Sequence, residues 1–175
     1  MFIDSKELIK TYATMEQARM KLFSILLPST DPEDLDTHQI EFIKTLTDIE
    51  TKTSVEGEEY IKITINDILP TNAGLSKNVI KFHWLALMNH ALKDVNTTFN
   101  KLLCVIKIYS PATFWDTDNR SIKVVLDSLR YNRIIPDDRS QFLTHMIIGE
   151  VDRENPRTEI YLLEHPENPL WFLPE

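Results

Sequence analysis

The sequence predicts an α+β, or mixed α/β, fold in which a helical hairpin precedes a core with the element order β-α-β-α-β-β. Through about the first 50 residues, apolar side chains recur every three or four positions, which is the helical period. Near Thr53–Glu59 the period changes to two, and strand patterns then alternate with amphipathic helical patterns. Strands and helices intermixed in this way are typical of α+β and mixed α/β domains.

Two helices are expected at the N-terminus. Ser5 is a candidate N-cap for the first helix, and Pro28 begins the segment that ends it. The apolar face of this helix is predicted to carry Leu8, Tyr12, Met15, Leu22, Phe23 and Leu26. The second helix is predicted to place along one stripe Ile40, Ile43, Leu46 and Ile49. The short connection between the helices predicts a hairpin.

The core begins with the alternating strand YIKITIND at residues 60–67. A helix over about residues 79–95 follows, and its inner face is predicted to be Trp84, Leu87, Met88, Ala91 and Leu92. The apolar strand LLCVIKIY and a helix at residues 121–131 come next. The strands HMIIGEV and TEIYLLE are expected to form a hairpin across RENPR. The boundaries of these predicted elements divide the chain into a hairpin extension at 1–58, a core domain at 59–165 and a C-terminal tail at 166–175.

Composition excludes several classes of protein. No run of 18 apolar residues predicts a membrane span, and the N-terminus has no secretory signal pattern, so we expect a cytoplasmic protein. The single cysteine, Cys104, lies in an apolar strand and is expected to be buried rather than reactive. The chain has only three glycines and no GxSxG motif, which argues against nucleoside triphosphatases and serine hydrolases.

The charge is unevenly distributed. The net charge is −8, but residues 60–148 carry 11 basic and 7 acidic side chains, whereas both ends of the chain are acidic. Five of these seven acids fall between Asp116 and Asp138. Carboxylates concentrated within a basic region indicate a metal site that meets nucleic-acid phosphates.

The segment from Phe114 to Asp138 carries the candidate chemistry. Asp116 and Asp118 flank one residue, so in an extended segment their side chains point to the same side. Asn119 is expected to begin a helix on which Lys123 and Asp127 lie one turn apart. A return of the chain after that helix brings Asp138 towards the first two aspartates. Clustered carboxylates favour a bound cation such as Mg²⁺, and a nearby lysine suits phosphodiester chemistry.

Each short motif also has a simpler interpretation. Aspartate and asparagine commonly begin helices and form turns, so DxDN alone, or PDD alone, is compatible with a purely structural role. Single surface lysines and arginines are likewise most often solvated charges.

The ordered combination of motifs resembles the RusA family of phage and bacterial Holliday junction resolvases. The matching residues are Asp116, Asp118, Asn119, Lys123, Asp127, Ser128, Leu129, Asp137 and Asp138. NPRTEI at 155–160 resembles the closing strand of many members, and the resemblance covers roughly residues 60–165. It implies a RusA-like core and a Mg²⁺-dependent endonuclease, with Mn²⁺ as a substitute, that resolves four-way DNA junctions as a homodimer.

The resemblance also implies roles for individual residues. Asp116, Asp118 and Asp138 match the metal-binding aspartates, Asp137 matches the less critical member of the Asp-Asp pair, and Lys123 matches the catalytic lysine. Lys123 follows Asp118 by five residues where the family has four, a rotation of about 100° on a helix, so Arg120 is an alternative source of that charge. Phosphate contacts are expected from Lys77, Lys81, Arg120, Arg130, Arg133 and Arg139.

A second interpretation is a RusA-fold protein that no longer cuts and serves as a DNA- or protein-binding phage regulatory factor. The acidic hairpin, which has no counterpart in compact family members, could bind a protein partner. It could instead cover a sheet edge or extend the dimer interface. Either interpretation implies a protein of phage or prophage origin acting in a bacterial host.

Overall fold

The computed structural model describes residues 5–53, 59–71, 76–111 and 119–168. Its helices are α1 (Ser5–Leu26), a 3-10 turn (Pro32–Asp34), α2 (Thr37–Leu46), α3 (Lys77–Leu92) and α4 (Lys123–Tyr131). Its strands are β1 (Thr47–Thr53), β2 (Glu59–Ile65), β3 (Leu102–Ser110), β4 (Leu143–Val151) and β5 (Arg157–Glu164). The predicted mixed α+β class is confirmed, and from β2 onward the elements follow the predicted order.

The strands form one mixed sheet in the order β1-β2-β5-β3-β4. β3 and β4 are parallel and are joined through α4, whereas the other neighbouring pairs are antiparallel. A parallel pair requires a crossover connection, and α4 supplies it. The segment that contains Asp116 and Asp118 therefore leaves the carboxyl end of β3 and leads into the crossover helix.

One face of the sheet forms the core with the helices. In the register, Ile63 of β2 lies opposite Ile160 of β5, which lies opposite Ile106 of β3, and all three are fully buried. Helix α3 contributes Trp84, Leu87 and the other predicted inner-face residues, which are all buried. Cys104 lies on the same sheet face, and burial raises the pKa of its thiol to about 12, so the prediction of a buried cysteine is confirmed.

The opposite sheet face carries a network of charged side chains around Glu159. Its carboxylate accepts hydrogen bonds from Lys62 Nζ at 3.1 Å, Arg157 Nε at 2.9 Å and Tyr161 Oη at 2.5 Å. Burial favours the neutral acid, but the hydrogen bonds from Tyr161, Arg157 and Lys62 outweigh it and lower the pKa of Glu159 to about 2. The network thus satisfies a buried charge on strand β5.

The second helix is shorter than predicted. Asp36 forms a capping box with Gln39 at its start, but the helix ends at Leu46, and Thr47 already has extended backbone angles of φ −130° and ψ 137°. Ile49, which was predicted to lie on the helix, lies on β1 opposite Ile63. The alternating β-branched residues of TDIETKT favour this strand. Because β1 pairs with β2 along its length, the predicted boundary at residues 58–59 falls between two paired strands.

The predicted hairpin of β4 and β5 is wrong, because β3 lies between these two strands. Residues 152–156 pass the end of β3, where the Asp152 amide donates to the Ser110 carbonyl at 2.9 Å. The Asp152 carboxylate then accepts from the Glu154 and Asn155 amides and from Arg157. These bonds stabilise a connection that crosses a strand instead of a tight hairpin turn.

The predicted inner face of α1 is also largely wrong. Among the predicted residues, Phe23 is buried, but Tyr12, Met15, Leu22 and Leu26 are exposed, and the side chain of Leu8 lies outside the described part. The residues that α1 buries are Met20, Phe23 and Leu27. Helix α1 is apolar on more than one side, so its sequence period alone did not identify the side that packs on α3.

We expect Glu159→Gln to reduce the acid sensitivity of the fold. The pKa of Glu159 is lowered from 4.5 to about 2 on folding, so its ionised form stabilises the protein above pH 4.5 and this contribution is lost as pH falls towards 2. The stabilisation is on the order of 3 kcal/mol. Urea unfolding measured between these pH values should show a shallower loss of stability in the variant than in the wild type. Glu164→Gln, on the exposed end of β5, is the control. An equally steep loss in Glu159→Gln would contradict this assignment.

Candidate metal and nucleic-acid site

Asp116 and Asp118 lie outside the described residues, so the candidate site is described from the chain that surrounds them. Segment 112–118 is bounded by the carboxyl end of β3 and by Asn119. The metal roles of Asp116 and Asp118 stay predictions.

The chain directly after this segment is anchored to the connection between β2 and α3. The Arg120 guanidinium donates to the Leu69 carbonyl at 2.7 Å, and its backbone forms an antiparallel bridge with Thr71. The Ser121 amide donates to the Pro70 carbonyl at 3.0 Å. Arg120 is buried, and its hydrogen bond with Leu69 is a structural contact. Its predicted phosphate contact and its substitution for Lys123 stay predictions. These hydrogen bonds hold Arg120 and Ser121 in place directly before α4.

Lys123 stands at the first position of α4 and is largely exposed. Its Nζ lies 3.0 Å from Asp127 Oδ1 and 3.7 Å from Asp138 Oδ2. The predicted one-turn spacing of Lys123 and Asp127 is therefore confirmed. The hydrogen bond and charge of Asp127, followed by the charge of Asp138, raise the pKa of the Lys123 ammonium group. The ammonium group thus lies among carboxylates at the start of the crossover helix.

Asp138 reaches Lys123 because the chain turns back after α4. Ile134 and Ile135 are buried, and the Ile134 amide donates to the Leu129 carbonyl at 2.9 Å, which anchors the return. The hydrogen bond with Asp137, together with the charges of Arg130 and Lys123, lowers the pKa of the Asp138 carboxyl group. The carboxylate is therefore ionised at neutral pH, as a metal ligand must be.

The oxygen-only donor set fits a hard divalent cation. Asp137 and Asp138 are adjacent, the Asp138 amide donates to Asp137 Oδ1 at 2.8 Å, and the Asp138 side chain is 32% exposed. Mg²⁺ typically needs one or two carboxylates, with water and substrate phosphate completing its coordination. Within the described ranges, no three histidine, cysteine or acidic residues are grouped to hold a metal ion. The metal site that the sequence predicts would need Asp116 and Asp118 in addition to Asp137 and Asp138, and it stays a prediction.

A groove of about 550 Å³ opens beside Lys123, between the first turns of α3 and α4. It is lined by Lys77, Ile80, Lys81, Ser121, Lys123, Val124 and Asp127. Neither helix has a side-chain N-cap hydrogen bond, at Ser76 or at Ile122. The groove is thus lined by two helix N-termini and three lysines, which favour phosphate, and by Asp127, which pairs with Lys123.

The remaining predicted basic residues are distributed unevenly. Lys81 and Arg130 both lie against the ring of Tyr131, at 5.7 and 5.1 Å from its centroid, which places them on one surface. Arg139 is exposed and pairs with Asp137 at 2.8 Å. Arg133 has a left-handed backbone conformation with φ 58°. It lies beyond the C-terminal end of α4, whereas Lys123 stands at the N-terminal end. The structure therefore brings Lys77, Lys81 and Lys123 together but leaves Arg133 beyond the far end of the helix.

Sequence reasoning missed a buried network around Asp67. The carboxylate of Asp67 lies 2.5 Å from His83 Nε2 on α3 and 2.9 Å from Arg19 Nη2 on α1. Burial favours its neutral form, but the hydrogen bond and charge of His83 and the charge of Arg19 outweigh it and lower the pKa of Asp67. The Thr158 hydroxyl donates to the Asp67 carbonyl at 2.9 Å and accepts from the Leu69 amide at 3.1 Å. This network fixes the connection that anchors Arg120.

A sequence signal for this network did exist. Asp67 precedes the apolar ILP, and His83 lies between the aromatic residues Phe82 and Trp84 of a helix with a largely apolar sequence. Charged residues in such surroundings are rarely buried without a partner. The pattern does not identify which partners meet, because Arg19, Asp67 and His83 lie far apart in sequence.

No helix in the described ranges is long and apolar enough to cross a membrane. No protein-family model matches the chain, and no curated protein matches it significantly.

We expect Asp67→Asn to destabilise the protein by about 3 kcal/mol, since it removes the carboxylate that contacts both Arg19 and the fully buried His83. Urea unfolding at neutral pH measures this change. Glu16→Gln removes the other carboxylate that pairs with Arg19, at 2.8 Å, and should cost less than about 1 kcal/mol, because this pair joins the half-exposed Arg19 to Glu16 and does not involve the buried His83. Equal effects of the two substitutions would show that Asp67 is not the central group.

Proposed function

We propose that the chain is a Mg²⁺-dependent endonuclease, with Mn²⁺ as a substitute, that cuts branched DNA such as Holliday junctions in the cytoplasm of a bacterial host. The observation that carries the proposal is the Lys123–Asp127–Asp138 cluster, which lies at the exit of the Asp116–Asp118 segment and at the edge of the lysine groove. The ordered RusA-like motif supports the same activity. A phage or prophage origin belongs to the same proposal.

The proposed chemistry is hydrolysis of a phosphodiester. A bound divalent cation would polarise the phosphate and lower the pKa of a water molecule. Asp116, Asp118 and Asp138 would hold this cation, with Asp137 in support. The water oxygen would bond to phosphorus and release a proton to solvent, the bond to the leaving oxygen would break, and that oxygen would take a proton from solvent. Lys123 stabilises the negative charge that develops on the phosphate oxygens.

Substrate binding would depend on the phosphate backbone. Lys77 and Lys81 line the groove that begins at Lys123, so a strand bound there passes from the groove to the carboxylates. Backbone charge and junction shape carry no base sequence, which suits an enzyme that accepts many junctions. A homodimer would supply two such sites for paired cuts in opposed strands.

A second candidate is a RusA-fold protein that binds DNA or protein as a phage regulatory factor without cutting. Two ion pairs favour this second function. Asp137 pairs with Arg139 at 2.8 Å, and Asp127 pairs with Lys123 at 3.0 Å, so both carboxylates already have cationic partners. A bound metal ion would compete with these pairs. Junction binding without metal-dependent cleavage would favour this second function.

We expect the purified protein to nick an end-labelled four-way junction in pairs near the crossover, in Mg²⁺ or Mn²⁺ but not in EDTA. Asp118→Asn and Asp138→Asn should each lower the cleavage rate by at least about 100-fold, because each removes a charge from the site of phosphate activation. Asp94→Asn, an exposed aspartate after α3, is the matched control and should retain the rate. Wild-type binding without cleavage would overturn the nuclease proposal.

We expect Lys77→Gln combined with Lys81→Gln to weaken junction binding. The slope of log affinity against log salt should become shallower by up to about 2, since each phosphate contact contributes about 0.9. Binding is measured in the Asp118→Asn background to prevent cutting. Lys44→Gln combined with Lys52→Gln makes the same charge change at exposed positions outside the groove. An identical salt dependence in both pairs would remove the groove from the DNA-binding surface.

A further inference from the structure

The groove between α3 and α4 has a row of charged side chains on each wall. The α3 wall carries Lys77 and Lys81, and the α4 wall carries Lys123 and Asp127. Each pair is four residues apart on its helix. Residues at this spacing lie on the same side of a helix, one turn after another. Both rows therefore run along the length of the groove.

Tyr131 continues the row on α4. It follows Asp127 by four residues, so it lies on the same side of the helix, one turn further on. Lys81 reaches it from the facing wall, with Nζ 5.7 Å from the centroid of the ring. Tyr131 is 49% exposed, whereas Ile80 and Val124, the two apolar residues of the groove, are only 4% and 7% exposed. An apolar ligand at this end of the groove would therefore find its largest contact surface at Tyr131.

The cations around Tyr131 connect it to the candidate site. Arg130 Cζ lies 5.1 Å from the centroid of the Tyr131 ring. Arg130 is also close to Asp138, because its charge, after the hydrogen bond with Asp137, helps to lower the pKa of the Asp138 carboxyl group. The aromatic ring and the predicted metal ligand therefore lie on one continuous surface.

The other surroundings of Tyr131 are acidic. The ring borders a second cavity, of about 520 Å³, whose described charged residues are three acids and one base, Asp31, Glu33, Asp94 and Lys93. These acids repel phosphate, whereas Lys81 and Arg130 attract it. A nucleotide at Tyr131 would therefore keep its phosphates on the side of the candidate site and place its base on the ring.

We propose that the groove binds an unpaired DNA strand and that Tyr131 stacks on one of its bases. The phosphates lie along Lys77, Lys81 and Lys123, and Lys81, which is exposed, moves from the ring to the strand. The bases of a duplex are already stacked and paired, so only an unpaired strand can offer the face of a base to the ring. Such stacking accepts any base, because every base has a π-face.

The substrate class that follows is branched DNA with unpaired nucleotides next to the branch, such as a fork or a flap. This inference rests on the proposed function, which supplies DNA as the ligand. Lys123 and Tyr131 are eight residues apart on α4, a rise of about 12 Å, which corresponds to roughly three or four nucleotides of one strand. The stacked base therefore lies a few nucleotides from the phosphate at Lys123.

Binding to two matched DNA molecules tests the substrate class. One is a fork with two unpaired arms of about ten nucleotides, which is within the site size of single-strand binding proteins. The other is the same fork with both arms made double-stranded. In the Asp118→Asn background without metal, the unpaired fork should bind about 10-fold more tightly, although it carries fewer phosphates. Equal affinity for the two forks, or tighter binding of the paired fork, would overturn the inference.

The fluorescence of 2-aminopurine tests the role of Tyr131. The probe is placed at successive positions of an unpaired arm, and stacking on Tyr131 should quench it at one or two of them. Tyr131→Phe should keep this quenching and the preference for the unpaired fork, whereas Tyr131→Ala should lose both. Phe42→Ala, which removes an aromatic ring that is 36% exposed on α2, is the matched control and should keep both. Circular dichroism checks that the variants are folded. Quenching that is unchanged in Tyr131→Ala would overturn the assignment of the base to this ring.

Cleavage by the wild type separates this inference from the nuclease proposal. Quenching that depends on Tyr131, without cleavage in Mg²⁺ or Mn²⁺, would retain the single-strand groove and overturn the nuclease. Metal-dependent cleavage together with equal affinity for the two forks would retain the nuclease and overturn the groove. A protein that binds neither fork would overturn both.

Discussion

The ionised carboxylate of Asp67 is the group on which the arrangement of the helices and the candidate site depends. It joins Arg19 of α1 to His83 of α3, while its own carbonyl is bound by Thr158 of β5. A charge this buried is stable only if its partners stay in place, because separating them costs several kcal/mol. The Leu69 amide donates to the Thr158 hydroxyl, and the Leu69 carbonyl accepts from Arg120. The same network therefore also holds the chain that leads into α4.

The two faces of the sheet have different roles. One face is apolar and forms the core with α3 and α4, whereas the other carries the Glu159 network. The described part of the candidate site lies at α4, the helix that joins the parallel strands β3 and β4. Side chains at the carboxyl ends of parallel strands are free of core packing, so this edge is where α/β proteins commonly bind ligands. Lys123, Asp127 and Asp138 meet because Lys123 and Asp127 lie one turn apart on α4 and the chain after α4 turns back to Lys123.

Local spacing predicted part of the candidate site. Lys123 and Asp127 are four residues apart on a helix, so their contact follows from helical geometry alone. The return of the chain after α4 was predicted to bring Asp138 towards Asp116 and Asp118, which lie outside the described residues; the contact of Asp138 with Lys123 was not predicted. The groove was not predicted either, because Lys77 and Lys123 begin two different helices and meet only through the packing of α3 against α4. The sequence did not predict that Arg120 is buried with its guanidinium on the Leu69 carbonyl, because Leu69 lies 51 residues away in the chain.

The sequence by itself determined the α+β class, the order of elements from β2 onward, the inner face of α3 and the buried position of Cys104, because each follows from the local period and type of side chains. The tertiary structure alone decided that β3 separates β4 from β5, that residues 47–53 join the sheet, and which side of α1 faces the core. It also decided that the side chains of Arg19 and His83 both contact the carboxylate of Asp67. Strand order, packing side and buried ion pairs depend on contacts between residues distant in sequence, and local periodicity carries no information about which distant surfaces meet.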